Sequence, residues 1–470
     1  MSTFRNFVSS LSTILPEVPK PIRKPTLTER FIWTAIALII YLVMGQIPLY
    51  GVAVSGQDPL AFTRIIFASS QGTLMELGIG PIVTAGLILQ LLKGAEIFKV
   101  DFKKPEDRAL FTSATKLLTL IVIIIEAASF IAGGVFGTRL TSTTIIILLA
   151  QLLFAGIVVM LLDELIQKGW GIGSGISLFI MAGVAQRIIW DMFSILPTGE
   201  GYFGAIPHAI NVTLAGVPHE AWYRSRALPS ISTLLITILV ILAIIYIQGV
   251  RVEIPITSTR YRGFSGVYPI KLMYVSNIPV ILTSALMANI TFFSQLLWRN
   301  LNPNNDNPIL NAIVTFDPTN PGEGPTGGLL YYLSIPSSLD VALAEPLRTA
   351  ASILILVGFT VLFAKIWVEI GGLSPKAVAK SLLDANVQVP GFRRSNISVE
   401  SILNKYIPTL TILSGILIGL IAGGSQVLGV FGSGIGILLM VDIILNYYQM
   451  LMREQIETMM PRLAGLLGKG

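Results

Sequence analysis

The sequence predicts an all-α polytopic membrane protein of ten transmembrane helices in two inverted five-helix halves. Three observations carry that prediction. Hydrophobic residues make up 53% of the 470 and charged residues 12%, with a mean hydropathy of +0.75, a balance outside the range of soluble globular chains. Ten stretches are each apolar over a length close to the ~20 residues of helix that cover a hydrocarbon core of about 30 Å. Lys and Arg are also divided unevenly between the loops that join those stretches.

In chain order, Arg5, Lys20, Arg23, Lys24 and Arg30 precede the first apolar run. That run is too long for a cleavable signal and lacks a small-residue cleavage site, so it stays as a membrane anchor. Phe4, Phe7, Val8, Leu11 and Leu15 recur at helical spacing before it. Two readings fit this tail: a short helix lying on the membrane surface, and a frayed end. Spans are expected near 31–50, 77–93, 109–133, 143–163, 173–190, 231–249, 275–298, 347–368, 406–423 and 427–450. Between the first two, Asp58 and Pro59 make an N-cap and first turn, and Gly72 is a stop signal, which predicts a helix near 59–70. It is too short to span, and Leu60, Phe62, Ile65, Ile66 and Phe67 would be stranded in water. Burial in a cavity or at an interface resolves this, as for re-entrant segments. Arg64 interrupts the segment and is expected to snorkel toward water. Gly78, Gly80 and Pro81 then break the chain where it re-enters.

With the N-terminus inside, the inner segments hold most of the Lys and Arg. The outer ones hold only Arg64, Arg139, Arg187, Arg224, Arg226, Arg299 and Arg348, and Lys116 falls within a span. This positive-inside pattern places both termini in the cytoplasm. The net charge of +6 mostly expresses that bias, although clustered loop charges also suit RNA or anionic lipid. There are no cysteines, which excludes disulfides and thiolate metal sites.

The odd number of spans per half, 1–230 and 231–470, requires inverted repeats if the halves are related. Two matches join span n to span n+5. Pro81-Ile82-Val83-Thr84 resembles Pro279-Val280-Ile281-Leu282, and Gly173-Ser174-Gly175-Ile176 recurs as Gly432-Ser433-Gly434-Ile435. Val83 and Ile281 lie two residues after their prolines, and Ile180 and Leu439 four residues after each repeat isoleucine. All four are bulky and apolar. Helix packing through small residues fits them, and so does an apolar ring that closes a pore by excluding water.

Five strings carry a family resemblance: Gly78-Ile79-Gly80-Pro81-Ile82-Val83-Thr84-Ala85-Gly86, Gly171-Ile172-Gly173-Ser174-Gly175-Ile176, Tyr268-Pro269-Ile270-Lys271, Ser276-Asn277-Ile278-Pro279-Val280-Ile281 and Gly391-Phe392-Arg393-Arg394-Ser395. In this order they closely resemble the SecY family, the channel subunit of the protein translocon, and most of all its archaeal branch. The resemblance implies a protein-conducting channel that passes unfolded secretory polypeptides across the plasma membrane and releases transmembrane segments sideways into lipid. It implies a waist of Ile79, Val83, Ile176, Ile180, Ile281 and Leu439, and a plug formed by the helix near 59–70. Spans two and three would face seven and eight across a lateral gate carrying Thr84, Gln90, Glu126 and Asn289. The implied partners are SecE, a small beta subunit, signal sequences and the ribosome with its nascent chain. The ribosome would dock by rRNA contacts on the loops at 250–274 and 369–405, where Arg251, Arg260, Arg262, Lys271, Lys376, Lys380, Arg393, Arg394 and Lys405 lie. By composition alone these charges would simply hold topology.

Catalysis has little to stand on. The only histidines, His208 and His219, fall in an outer loop, and no HExxH or GxxxxGK[ST] pattern occurs. Ser174 and Ser433 have no histidine in any span to act as base. No cofactor is expected. A proton-coupled transporter shares inverted repeats and broken helices, and could use Glu126 and Asp442. The apolar centre, however, offers a solute no binding group, and Asp442 reads as structural. Glu126 is open to a gate role or to helix packing as a buried carboxyl.

Overall fold

The computed structural model of the chain describes residues 15–52, 64, 67–94, 104–133, 135–136, 140–199, 201–224, 228–258, 265–275, 278–318, 324–336, 338–384, 387–388 and 396–459. Tail residues Phe4, Phe7, Val8 and Leu11, plug residues Leu60, Phe62, Ile65 and Ile66, and loop arginines Arg260, Arg262, Arg393 and Arg394 lie outside the described residues.

Ten helices follow the expected spans: α1 Leu27–Met44, α2 Gly80–Gly94, α3 Pro105–Ala132, α4 Ser142–Gln167, α5 Gly175–Phe193, α6 Ile231–Gly249, α7 Ile278–Leu301, α8 Pro346–Ile370, α9 Asn396–Val427 and α10 Gly434–Met459. Among the described residues nine helices are long and apolar enough to cross a membrane, and α2 is the short one at 15 residues. At 1.5 Å per residue α2 is about 22 Å long, less than a hydrocarbon core. The missing depth is filled by the irregular segment 67–79, which is why the span expected from residue 77 becomes helical only at Gly80. Helices α3, α9 and α10 outrun their expected spans, because a helix need not stop where the apolar run stops.

Local chemistry places the helix starts. Thr26 and Glu29 form a capping box at α1, and Ser230 and Thr233 form one at α6. Pro105 and Pro346 open α3 and α8, where the missing N–H has no partner to lose.

Both sequence repeats occupy equivalent places. Pro81 and Pro279 are each the second residue of their helix, α2 and α7. At the other repeat, Ile176 N donates to Asp163 Oδ1 at 3.0 Å and Gly434 N to Gln426 Oε1 at 3.1 Å. The preceding helix, α4 or α9, thus satisfies the first turn of the next, α5 or α10, in each half. A Cβ on Gly175 would stand 2.6 Å from Asp163 Cα, and one on Gly434 2.4 Å from Ala422 O. The repeated glycines are where backbone approaches backbone.

The main apolar core draws on α1, α2 and α4–α10. A second, smaller core sits at the loops. Strands β1 (Arg251–Ser258) and β2 (Ser265–Lys271) pair antiparallel, and β3 (Val387–Gln388) adds to β1 through Thr257↔Gln388 and Ser258↔Val387. Ile254, Ile270, Val378, Val399 and Leu403 pack beneath this sheet. The loops at 250–274 and 369–405 therefore form one body. Lys116, read only as a charge inside a span, bonds Glu164 at 2.5 Å, and Lys168 reaches the same carboxylate at 2.8 Å.

Candidate pore and lateral gate

The six waist positions come from four helices and the turn before α2, and they meet in one cluster. Ile79, Ile180 and Leu439 have no exposed surface, Val83 is buried, and Ile176 and Ile281 pack against them half-buried. Helices α2, α5, α7 and α10 each bring at least one of these side chains to the centre. No polar side chain is among the six, so the cluster offers water no side-chain hydrogen bond.

The plug segment rests on this cluster through its described residues. Ile79 N donates to Phe67 O at 2.9 Å, tying the plug backbone to the waist. Gly78 permits this: its φ is +55°, and a Cβ there would lie 2.2 Å from Phe67 O, so a side chain would both strain the backbone and lift Phe67 away. Tyr41 of α1 donates its hydroxyl hydrogen to Ala68 O, and its ring stacks on Phe179 of α5 at 4.3 Å.

Arg64 departs from expectation. It does not snorkel to water but is 7% exposed, and its guanidinium bonds Glu76 Oε1 at 2.6 Å. Glu76 is 2% exposed, and its other oxygen accepts from Gly72 N. A charge buried here needs a counter-charge more than it needs solvent, and the fold supplies one twelve positions along the chain. Sequence reasoning passed over Glu76. Its signal was an acid set between Leu74, Met75 and Leu77, since an ionisable group in an apolar run is a flag for function or pairing.

Thr84, Glu126 and Asn289 are brought together. Asn289 Nδ2 donates to Thr84 Oγ1 at 3.1 Å, and that hydroxyl donates to Glu126 Oε1 at 3.3 Å. One threonine on α2 thereby links α3 to α7. Beside it Phe130 of α3 stacks on Phe292 of α7 with centroids 4.6 Å apart, and Lys93 of α2 donates to Ile370 O of α8 at 3.2 Å. Helices α2 and α3 meet α7 and α8 along a closed seam. Gln90 stands apart from this polar group: it is half-buried, and its side-chain oxygen has no hydrogen-bond partner among the described residues. A cavity of about 30 Å³ between plug and seam is lined by Phe67, Glu76, Glu126 and Asn289. A larger one of about 280 Å³, lined by Tyr41, Arg64, Gln186 and Trp190, lies between plug, α1 and α5. Asp442, on α10, is 7% exposed and accepts from Asn446 Nδ2 at 3.1 Å, a local bond consistent with a structural part.

On the loop body, Arg251 is exposed and lies 3.2 Å from Glu253, and exposed Lys271 reaches Gln449 Oε1 at 3.4 Å. Lys376, Lys380 and Lys405 are exposed as well.

Comparison with known proteins matches residues 73–448 to the SecY family and residues 39–72 to the plug domain of Sec61p. The chain is 41% identical over 468 residues to the protein transport protein Sec61 subunit alpha of Dictyostelium discoideum, covering 97% of each. A solved structure of a protein-conducting channel superposes with a TM-score of 0.82 at 37% identity, over 97% of this chain and 98% of that one. Sec61 in the canine ribosome–channel complex from the endoplasmic reticulum superposes with a TM-score of 0.80 at 36% identity, again over 97% and 98%.

Proposed function

This chain belongs to the SecY family of protein-conducting channels, and on that premise we propose how its own residues carry polypeptide across and out of the membrane. The channel is multi-pass, translocates protein and is not an enzyme. Its waist is Ile79, Val83, Ile176, Ile180, Ile281 and Leu439. In the resting state these side chains fill the constriction, and an extended chain displaces them without meeting any group that would hold it. The segment containing Arg64 and Phe67 is the plug, and it leaves its seat when a substrate enters. Thr84, Gln90, Glu126 and Asn289 line the lateral gate. Parting α2 and α3 from α7 and α8 breaks the Asn289–Thr84 bond and the Phe130–Phe292 stack, and a sufficiently apolar segment compensates by intercalating there and passing into lipid.

The remaining assignments follow the same premise. Residues 1–230 and 231–470 are the two halves, and both termini are cytoplasmic, as the Lys and Arg distribution supports. The plasma membrane is the proposed location, on the likeness to the archaeal branch. SecE and a small beta subunit complete the channel. The relative from the canine complex is bound to a ribosome, and here Arg251, Arg260, Arg262, Lys271, Arg393 and Arg394 are the proposed contacts to rRNA phosphate. The channel has no nucleotide motif, so the driving force comes from a partner.

The observation that carries this reading is the convergence of six apolar side chains, separated by hundreds of residues in sequence, beneath the plug backbone. It is tested by placing a photo-crosslinker at each waist position and stalling a nascent chain in transit. Adducts at the six positions, absent at lipid-facing Leu239, support it; adducts that ignore position sink it.

A further inference from the structure

The connection between α5 and α6 is built around one ten-residue helix, Ala205–Leu214. At about 100° per residue, Ala205, His208 and Val212 share one face, and all three are buried, where the helix packs on the ends of α5 and α6. The opposite face carries Ile206, Ile210 and Leu214 at a spacing of four, with Ile210 57% and Leu214 82% exposed. A helix seated on protein by one face and bathed in water on the other turns polar residues outward. This one turns an apolar stripe outward, with Asn211 and Thr213 confined to the flanks.

The exposed apolar surface extends beyond the helix. Ile195, at 74%, precedes it, and Trp222 and Tyr223, at 55% and 58%, follow it. It is continuous along the chain with Ile189 and Phe193, exposed at the end of α5. Nor can the connection roll to hide the stripe. Buried Arg224 donates to both Phe203 O and Pro229 O at 3.0 Å, and Gly204 N donates to Ser194 O at 2.8 Å, so the helix is pinned before its first turn and after its last.

We propose that this connection is an interfacial membrane element. The Ile206–Ile210–Leu214 stripe sinks about 5–10 Å into the headgroup–acyl boundary, as amphipathic helices do, and Trp222 and Tyr223 sit at headgroup level, where aromatic residues gather. Lipid is the occupant because the patch continues the apolar face of a membrane-spanning helix and ends in an aromatic rim. Which leaflet it enters follows from the orientation proposed above; the lipid contact does not depend on it. The element widens the membrane footprint of the connection between residues 1–230 and 231–470.

The absence of cysteines makes the test direct. Single variants Ile210→Cys and Leu214→Cys, with Leu239→Cys as a lipid reference and Glu220→Cys as a water reference, are nitroxide-labelled. The complete channel with its small subunits is reconstituted in phosphatidylcholine–phosphatidylglycerol vesicles, and collision rates with oxygen and with a water-soluble nickel chelate are read by electron paramagnetic resonance. Positions 210 and 214 are expected to fall between 239 and 220, with oxygen accessibility raised and nickel accessibility lowered well below that at 220. Nickel accessibility equal to that at 220 puts the helix in water, and protection from both reagents means that another polypeptide covers it; either result overturns the proposal. Both positions are on the surface, and if one variant fails to accumulate the other reads the same quantity.

Discussion

Arg64 and Glu76 meet with side chains only 8% and 0% exposed, so each stabilises the other's charge. Removing one partner of such a buried pair takes a counter-charge from the second in a low-dielectric interior and costs about 3–5 kcal/mol, whereas replacing both with apolar groups is close to neutral. Glu76→Leu is therefore expected to loosen the plug and raise the resting ion conductance of the channel in planar bilayers, and Arg64→Met combined with Glu76→Leu to return it toward the parent. Conductance unchanged in the single variant would mean that the pair does not hold the seat. At the waist, Val83→Ser with Ile281→Ser offers hydroxyls to water where none are now present, and the same assay should show a leak. Leu239→Ser, on the exposed face of α6, should leave conductance alone.

Among the elements, the segment between α1 and α2 is the one proposed to move. It touches two helices and is tied to the turn before α2: Ala68 O accepts from Tyr41 of α1, a Cβ at Gly183 of α5 would sit 3.1 Å from Ala68 Cβ, and Phe67 O accepts from Ile79 N. That separation is just under the range a disulfide adopts between Cβ atoms, about 3.5–4.5 Å, so Ala68→Cys with Gly183→Cys can close after a small shift. Oxidised channels are expected to stop translocating a secretory substrate in proteoliposomes, and reduction should restore transport. Undiminished transport with the bond present by mass spectrometry would show that the plug stays in place during passage. Helix α2, at 15 residues, is short for the same reason that the plug exists: the chain spends part of that crossing on a re-entrant turn.

At the scale of the whole molecule, the sheet that joins β1, β2 and β3 makes the two basic loops one platform. The proposed contacts to RNA from both loops would then act together, and charge lost on one would be felt as lost affinity of the whole. Replacing Arg393 and Arg394 with Glu is expected to weaken ribosome binding sharply while membrane insertion stays intact. The salt dependence of the residual binding should flatten, because fewer counterions are released. Lys at both positions should be milder without being silent, since it lacks the planar fork that grips phosphate at two points. Sedimentation of ribosomes with channel vesicles across a salt series reads both quantities, and a parental affinity and slope after the Glu reversal would reduce these arginines to topology signals.

The sequence alone determined the membrane class, the number of crossings, the break before α2 and the internal symmetry. These follow from local quantities: apolar length against bilayer thickness, helix-breaking glycine and proline, and short strings repeated in register. It also placed Val83, Ile180, Ile281 and Leu439 at equivalent positions in the two halves, although whether they packed or lined a pore stayed open until the family resemblance was weighed. The tertiary structure alone decided which side chains meet. Thr84 and Asn289 lie 205 positions apart and share a hydrogen bond, the two basic loops join through Thr257 and Gln388, and Arg64 turns inward to Glu76 instead of outward to water. In a membrane protein every helix looks alike in hydropathy, so the pattern that marks a crossing carries no record of its neighbours. Those are chosen by shape, by the pairing of buried polar groups, and by close approach of backbones at residues such as Gly175 and Gly434, which become visible only once the helices have packed.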